Sequence, residues 1–136
     1  MGDRFENSVY MTPKVVIENP KGSYKSFEVE SVPGREDYPL TGVTYPVDYG
    51  YLEGYVGEDD DPLDVFVGSG ELMGYIKVWR YDVPLETKMA MNVSVDEWQQ
   101  ILEVFAPVLK EHKLFDREED FEDFLGAYKN IENEVN

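Results

Sequence analysis

The spacing of apolar residues changes character at Ser94: upstream they fall in short runs of strand type, downstream they recur at helical intervals. Val15-Val16-Ile17-Glu18 is a first short strand, stopped by Asn19-Pro20 and the turn-forming Lys21-Gly22. Tyr24 to Glu30 alternates, with Tyr24, Ser26 and Glu28 on one face, and is expected to pair with that first strand until Val32-Pro33-Gly34 breaks it. Tyr45 to Tyr51 is dense in tyrosine and bracketed by turn residues, a segment expected to pack on the strands. Val65-Phe66-Val67 reads as a buried strand, because β-branched and aromatic residues fit a pleated surface packed on both sides. Gly68-Ser69-Gly70 turns the chain; Tyr75 to Tyr81 and Lys88 to Val93 are two further strands. Short strands separated by turns predict a small barrel or sandwich.

Ser94-Val95-Asp96-Glu97 is a capping box that opens a helix. Trp98, Ile101, Leu102, Phe105 and Leu109 follow at helical spacing, with a kink expected at Pro107. Asp116-Arg117-Glu118-Glu119 is expected to open a second helix in the same way. Its inner stripe is Phe121, Phe124, Leu125 and Tyr128, with Lys129 beside Tyr128.

At 136 residues, with 42% hydrophobic residues and ten tyrosines, the chain is long and apolar enough for one folded domain. Residues 1–14 read as an N-terminal extension and 15–136 as the domain. The absence of cysteine removes disulfides, thiolate metal sites and thiol nucleophiles. No apolar run reaches membrane-spanning length and no signal-peptide pattern is present, so no membrane partner and a cytoplasmic location are expected. His112, the only histidine, reads as a surface residue near a helix end.

The net charge of −17 argues against a nucleic-acid partner. An anionic substrate would need metal ions and a few lysines to reverse the sign locally. Acidity alone leaves open a nucleic-acid mimic that occupies a basic partner.

The charge concentrates in Gly57-Glu58-Asp59-Asp60-Asp61-Pro62-Leu63-Asp64, directly before the buried strand. Pro62 fixes its own φ and biases Asp61 towards extended geometry, so the loop is stiff. Asp59, Asp61 and Asp64 are then held close together, where carboxylates repel one another unless a cation sits between them. Hard divalent cations such as Mg²⁺, with Mn²⁺ as a substitute, take such ligands. The alternative is a solvated acidic face. The proline and the apolar exit favour the metal site, and the spacing does not fit an EF-hand loop.

Asp59-Asp60-Asp61-Pro62-Leu63-Asp64-Val65 resembles the Asp-x-Asp-Pro-x-Asp-Val signature of the family I soluble inorganic pyrophosphatases. Tyr45-Pro46-x-x-Tyr49-Gly50-Tyr51 before it, Asp82, Glu86 and Lys88 after it, and Phe124-x-x-x-Tyr128-Lys129 near the end extend the resemblance from Val15 to about Lys129. The resemblance implies a mainly β fold with helices (α+β): a five-stranded, OB-like barrel with two C-terminal helices packed outside and an active site at its mouth. It implies Mg²⁺-dependent hydrolysis of pyrophosphate and a homo-oligomer.

The same resemblance makes Asp59, Asp64, Asp82 and Glu86 metal ligands and Asp61 the general base. Tyr49, Lys88, Tyr128 and Lys129 would hold phosphate oxygens, and Glu18 and Glu28 match acidic positions of the first two strands. The chain departs from the pattern in four places. Glu86 replaces an aspartate one residue further on, and Asp60 replaces a glycine. Ser26 stands where the family has a lysine, with Lys25 expected to face the other way. Asp37 stands where the family has an arginine, with Arg35 expected to reach the site in its place and Lys25 as the alternative. Two other readings remain: a diverged relative acting on another phosphoanhydride or a phosphate ester, and an inactive metal-binding or acidic interaction module.

Overall fold

The computed structural model describes residues 13–27, 37–80 and 83–130. Glu28, Arg35 and Asp82, three of the residues named above, lie outside them. Among the described residues, six strands form one sheet in the order β1-β4-β5-β7-β6-β8: β1 (Val15–Asn19), β4 (Asp48–Val56), β5 (Pro62–Val67), β7 (Glu86–Val93), β6 (Leu72–Val78) and β8 (Leu109–Leu114). The short strands β2 (Tyr24–Ser26) and β3 (Gly42–Thr44) form a separate ribbon. The ladder thus has six strands where the resemblance implies five, and no pairing joins β1 to β8 among the described residues.

Two pairings differ from expectation. The partner of β1 is β4, and β2 pairs with β3. Gly50 is the reason on the β4 side: a Cβ there would collide with the Val16 carbonyl oxygen, so only glycine lets β1 lie so close. On the other side, Tyr24, Lys25 and Ser26 are all exposed, and their alternation belongs to a surface ribbon. β5 and β7 are parallel neighbours, because β7 returns into the gap between β5 and β6. Among the described residues this is the only parallel pair in the ladder, and it sets the first residues of both strands side by side.

Both faces of the sheet are covered. On β5, Phe66 joins one core and Leu63 and Val65 the other; on β7, Ala90 joins the first and Met89 and Met91 the second. The continuous apolar run after the acidic loop is therefore buried on both sides, as its composition predicts. Helix α1 (Val95–Val104) brings Trp98 and Ile101 to the first core, and α2 (Glu118–Gly126) brings Phe121 and Leu125 to the second. Neither helix is long and apolar enough to cross a membrane.

The capping box of α1 forms as expected, with Ser94 Oγ accepting from Glu97 N and Glu97 Oε1 accepting from Ser94 N. Glu97 also accepts from Ser69 N at 2.9 Å and Ser69 Oγ at 2.8 Å, tying the β5–β6 turn to the helix start. Burial alone would raise the Glu97 carboxyl, but these hydrogen bonds together hold it below the ordinary glutamate value. A depressed folded-state pKa gives stability that is present above the unfolded value, about 4.3, and is lost as pH falls through the folded one. We expect Glu97→Gln to cost about 1–2 kcal/mol at pH 7 in urea unfolding. The gap to wild type should close in strong acid; a gap that is unchanged at low pH would remove the charge from the cap.

The helix ends sooner than its spacing suggests. Pro107 breaks it outright: Ala106–Val108 forms one 3₁₀ turn, and Leu109 begins β8 on the edge of the sheet against β6. His112 is accordingly an exposed strand residue, its ring edge-on to Trp98. The second helix has its N-cap at Arg117 and lacks the expected box. The Arg117 guanidinium instead pairs with Asp120, and the acidic first turn of Glu118, Glu119 and Asp120 complements the helix dipole. The expected inner stripe is present, with Phe121 and Leu125 buried and Phe124 and Tyr128 half-buried.

Candidate active site

The parallel pairing of β5 with β7 puts Asp64 opposite Lys88 in register. Both lie on the sheet face that carries Phe66 and Ala90, at the end of the α1 core. Lys88 Nζ donates to Asp64 Oδ2 at 2.9 Å and to Tyr49 Oη at 2.7 Å, and lies 3.1 Å from Glu86 Oε1. That last approach is an ion pair without hydrogen-bond geometry, so Glu86 Oε1 is buried with no hydrogen bond. Lys88 is only 8% exposed. Burial would lower its ammonium pKa, but Asp64, Tyr49 and Glu86 hold it well above the ordinary lysine value. Burial pushes the Tyr49 phenol well above 10, and that of Tyr45, stacked on it at 4.4 Å, to about 12.

The acidic loop stands over this pair. Asp59 Oδ1 accepts from Asp61 N, and Gly57 N and Asp61 O close the turn at 2.9 Å. Asp60 occupies the left-handed region at φ 67°, which explains a glycine at this position in the resembling pattern and why aspartate is a tolerable substitute. Glu58 fastens the loop to β7: its carboxylate accepts from Thr87 N at 2.9 Å, Thr87 Oγ1 at 2.6 Å and the Tyr128 hydroxyl at 3.1 Å. Burial alone would raise its pKa, but these hydrogen bonds lower it below the ordinary glutamate value.

A cavity of about 630 Å³ opens on this cluster. Its wall includes Glu18 from β1, Lys25 from β2, Tyr49 from β4, Asp59 and Asp61 from the loop, Asp64 from β5, and Glu86 and Lys88 from β7. Lys25 and Ser26 both line it, contrary to the expectation that Lys25 faces away. The register rule of the main sheet does not bind a three-residue ribbon at the cavity mouth. Tyr128 and Lys129 are not among the lining residues. The Tyr128 hydroxyl lies 2.8 Å from Thr87 Oγ1, and Lys129 forms an isolated β-bridge with Tyr55.

The donor set fits a hard cation: Asp59, Asp64 and Glu86 offer carboxylate oxygens at one cavity wall, and the orphaned Glu86 Oε1 is a buried acceptor with capacity to spare. Among the described residues no three acidic side chains converge as a ready-made cage. Asp59, Asp64 and Glu86 are spanned instead by Lys88 and by Arg80, whose Nη1 reaches Asp59 and Glu86. In the sequence Arg80 reads only as a strand residue and Glu58 only as part of an acidic run. The signal for Arg80 was its place two residues before Asp82, at the strand end that faces the carboxylate-bearing start of β7.

The family described as inorganic pyrophosphatase matches residues 15–136. Among curated relatives, the inorganic pyrophosphatase of Corynebacterium glutamicum is 42% identical over 60 residues, covering 42% of this chain and 38% of the relative. That of Leifsonia xyli subsp. xyli is 48% identical over 56 residues, covering 39% and 34%, and that of Nanoarchaeum equitans 42% identical over 66 residues, covering 46% and 41%. Each match spans less than half the relative's length. No solved structure gives a significant match.

Proposed function

Because the chain belongs to the inorganic pyrophosphatase family, we propose that it hydrolyses inorganic pyrophosphate to two orthophosphates with Mg²⁺ as cofactor. The observation that carries this reading is the Asp64–Lys88 register, which joins a lysine, a tyrosine and metal-type carboxylates at the wall of one cavity. Asp59, Asp64 and Glu86 would hold the cation, together with Asp82. Mg²⁺, when bound, supplies Lewis-acid charge to phosphoryl oxygens and makes nearby water more acidic. Asp61, exposed at the cavity and held by its backbone to Asp59, accepts the proton of the attacking water. Water oxygen bonds to one phosphorus as the bridging P–O bond breaks, and the electron pair leaves with the second phosphate. Lys88, Tyr49 and Lys25 hold phosphate oxygens, while Tyr128 acts through Thr87 and Glu58 to position the loop and β7.

The single-domain organisation of residues 15–136, a role for Glu18, Glu28, Arg35 and Lys129 at the substrate, and a homo-oligomer belong to the same proposal. So does the reading of the open ladder as the wall of a barrel, which is supported by strands β1, β2, β4, β5, β6 and β7 contributing to one cavity.

Phosphate release from pyrophosphate should require Mg²⁺, stop with EDTA, and exceed release from a nucleoside triphosphate. Faster release from the triphosphate would favour a diverged relative. The ion pairs that already neutralise much of the cluster favour an inactive module as the second reading, and absence of release from either substrate would support it. Millimolar Mg²⁺ should also raise the melting temperature, since binding to the native state adds about 2.7 kcal/mol at a hundredfold excess over Kd.

A further inference from the structure

Arg80 enters the carboxylate cluster from just beyond the end of β6, with Nη1 3.0 Å from Asp59 Oδ2 and 2.8 Å from Glu86 Oε2. Asp59 lies before β5 and Glu86 opens β7, so one guanidinium nitrogen spans two elements that the pyrophosphate reading needs as metal ligands. The charges run as a chain, Asp59–Arg80–Glu86–Lys88–Asp64. Its two cations are not equivalent. Both line the cavity, but the Lys88 side chain is 9% exposed and tied into the sheet, whereas the Arg80 side chain is 26% exposed. Arg80 therefore has more room to turn into the cavity.

We propose that Arg80 is the resident counter-ion of Asp59 and Glu86, that a divalent cation displaces it, and that the displaced guanidinium then binds a phosphate group of the substrate in the same cavity. This rests on the pyrophosphatase reading. A dication and a guanidinium compete for the same carboxylate oxygens, and the dication brings twice the charge to a cluster in which carboxylates outnumber cations. Until it arrives, Arg80 offsets the mutual repulsion of Asp59 and Glu86. Once displaced, the fork faces a cavity whose other cations, among the described residues, are Lys25 and Lys88. Its planar donors can grip phosphate oxygens two at a time, which neither lysine can do. Metal loading thereby assembles the anion site: the cation that holds the metal-free protein together becomes a substrate ligand.

The test is calorimetric and needs no turnover. Mn²⁺ is titrated into the metal-free full chain, then methylenediphosphonate into the Mn²⁺-loaded chain, for wild type, Arg80→Gln and Arg80→Lys, each first checked for cooperative melting. Arg80→Gln is expected to bind Mn²⁺ about tenfold more tightly, as for two ligands competing for one pair of groups. It should bind the diphosphonate about tenfold or more weakly, because a charged bidentate contact is lost. Arg80→Lys keeps the charge without the fork, so its Mn²⁺ affinity should stay nearer wild type while its diphosphonate affinity falls. Mn²⁺ affinity in Arg80→Gln at or below that of wild type overturns the displacement. Unchanged diphosphonate affinity overturns the phosphate role, and Arg80→Lys alone decides that point if the glutamine variant does not fold. A wild-type chain that takes up no Mn²⁺ would bring down the pyrophosphatase reading itself, whereas normal uptake with indifferent variants brings down Arg80 alone.

Discussion

Asp61→Asn is expected to slow pyrophosphate hydrolysis by about 10²–10⁴-fold, the usual contribution of a positioned general base, while Mn²⁺ affinity stays within a few-fold of wild type. The separation follows from where the two functions sit. Asp59, Asp64 and Glu86 are drawn into ion pairs with Arg80 and Lys88, so they are the groups that a cation would engage. Asp61 is held only by its backbone, through Asp61 N to Asp59 Oδ1 and Gly57 N to Asp61 O, which leaves its carboxylate exposed at the cavity. Asparagine preserves shape and turn but cannot take a proton. Comparison of kcat and Mn²⁺ calorimetry for the two proteins checks it. Near wild-type turnover would take the proton-accepting role from Asp61, and a collapse of Mn²⁺ affinity would instead make it a metal ligand.

Lys88→Met is expected to destabilise the metal-free protein by about 3–5 kcal/mol, the cost of leaving a buried ion pair half-made. Methionine fills much of the same volume, so packing against Tyr49 and Phe105 is largely kept and the loss is electrostatic. What remains is a buried Glu86 and Tyr49 hydroxyl and a half-buried Asp64 facing one another without their shared donor. Urea unfolding with and without Mg²⁺ measures it, and the cation should restore a larger share of stability in the variant than in wild type because it replaces missing positive charge. A loss below about 1 kcal/mol would mean that Lys88 is not the electrostatic centre of the cluster.

Local signals carried most elements. The strand content, the buried run after the acidic loop, the α1 cap and the inner stripe of α2 all follow from apolar spacing and turn chemistry, forces that act over a few residues. The acidic loop was legible because a proline and an apolar strand behind four close aspartates leave few ways to place their charge. Long-range geometry was not legible in the same way. That β7 slips between β5 and β6, parallel to β5, depends on which edges are left for pairing once the hairpins have formed, and it alone brings Asp64 to Lys88. Leu109 fits a helical stripe as well as a strand, and the free edge of β6 decided between them after Pro107 had stopped the helix. The pairing of β1 with β4 depended on a glycine whose need appears only when another backbone lies against it. Arg80 shows the same division most plainly: its charge is in the sequence, but its contacts with Asp59 and Glu86 join three segments that meet only in the folded sheet.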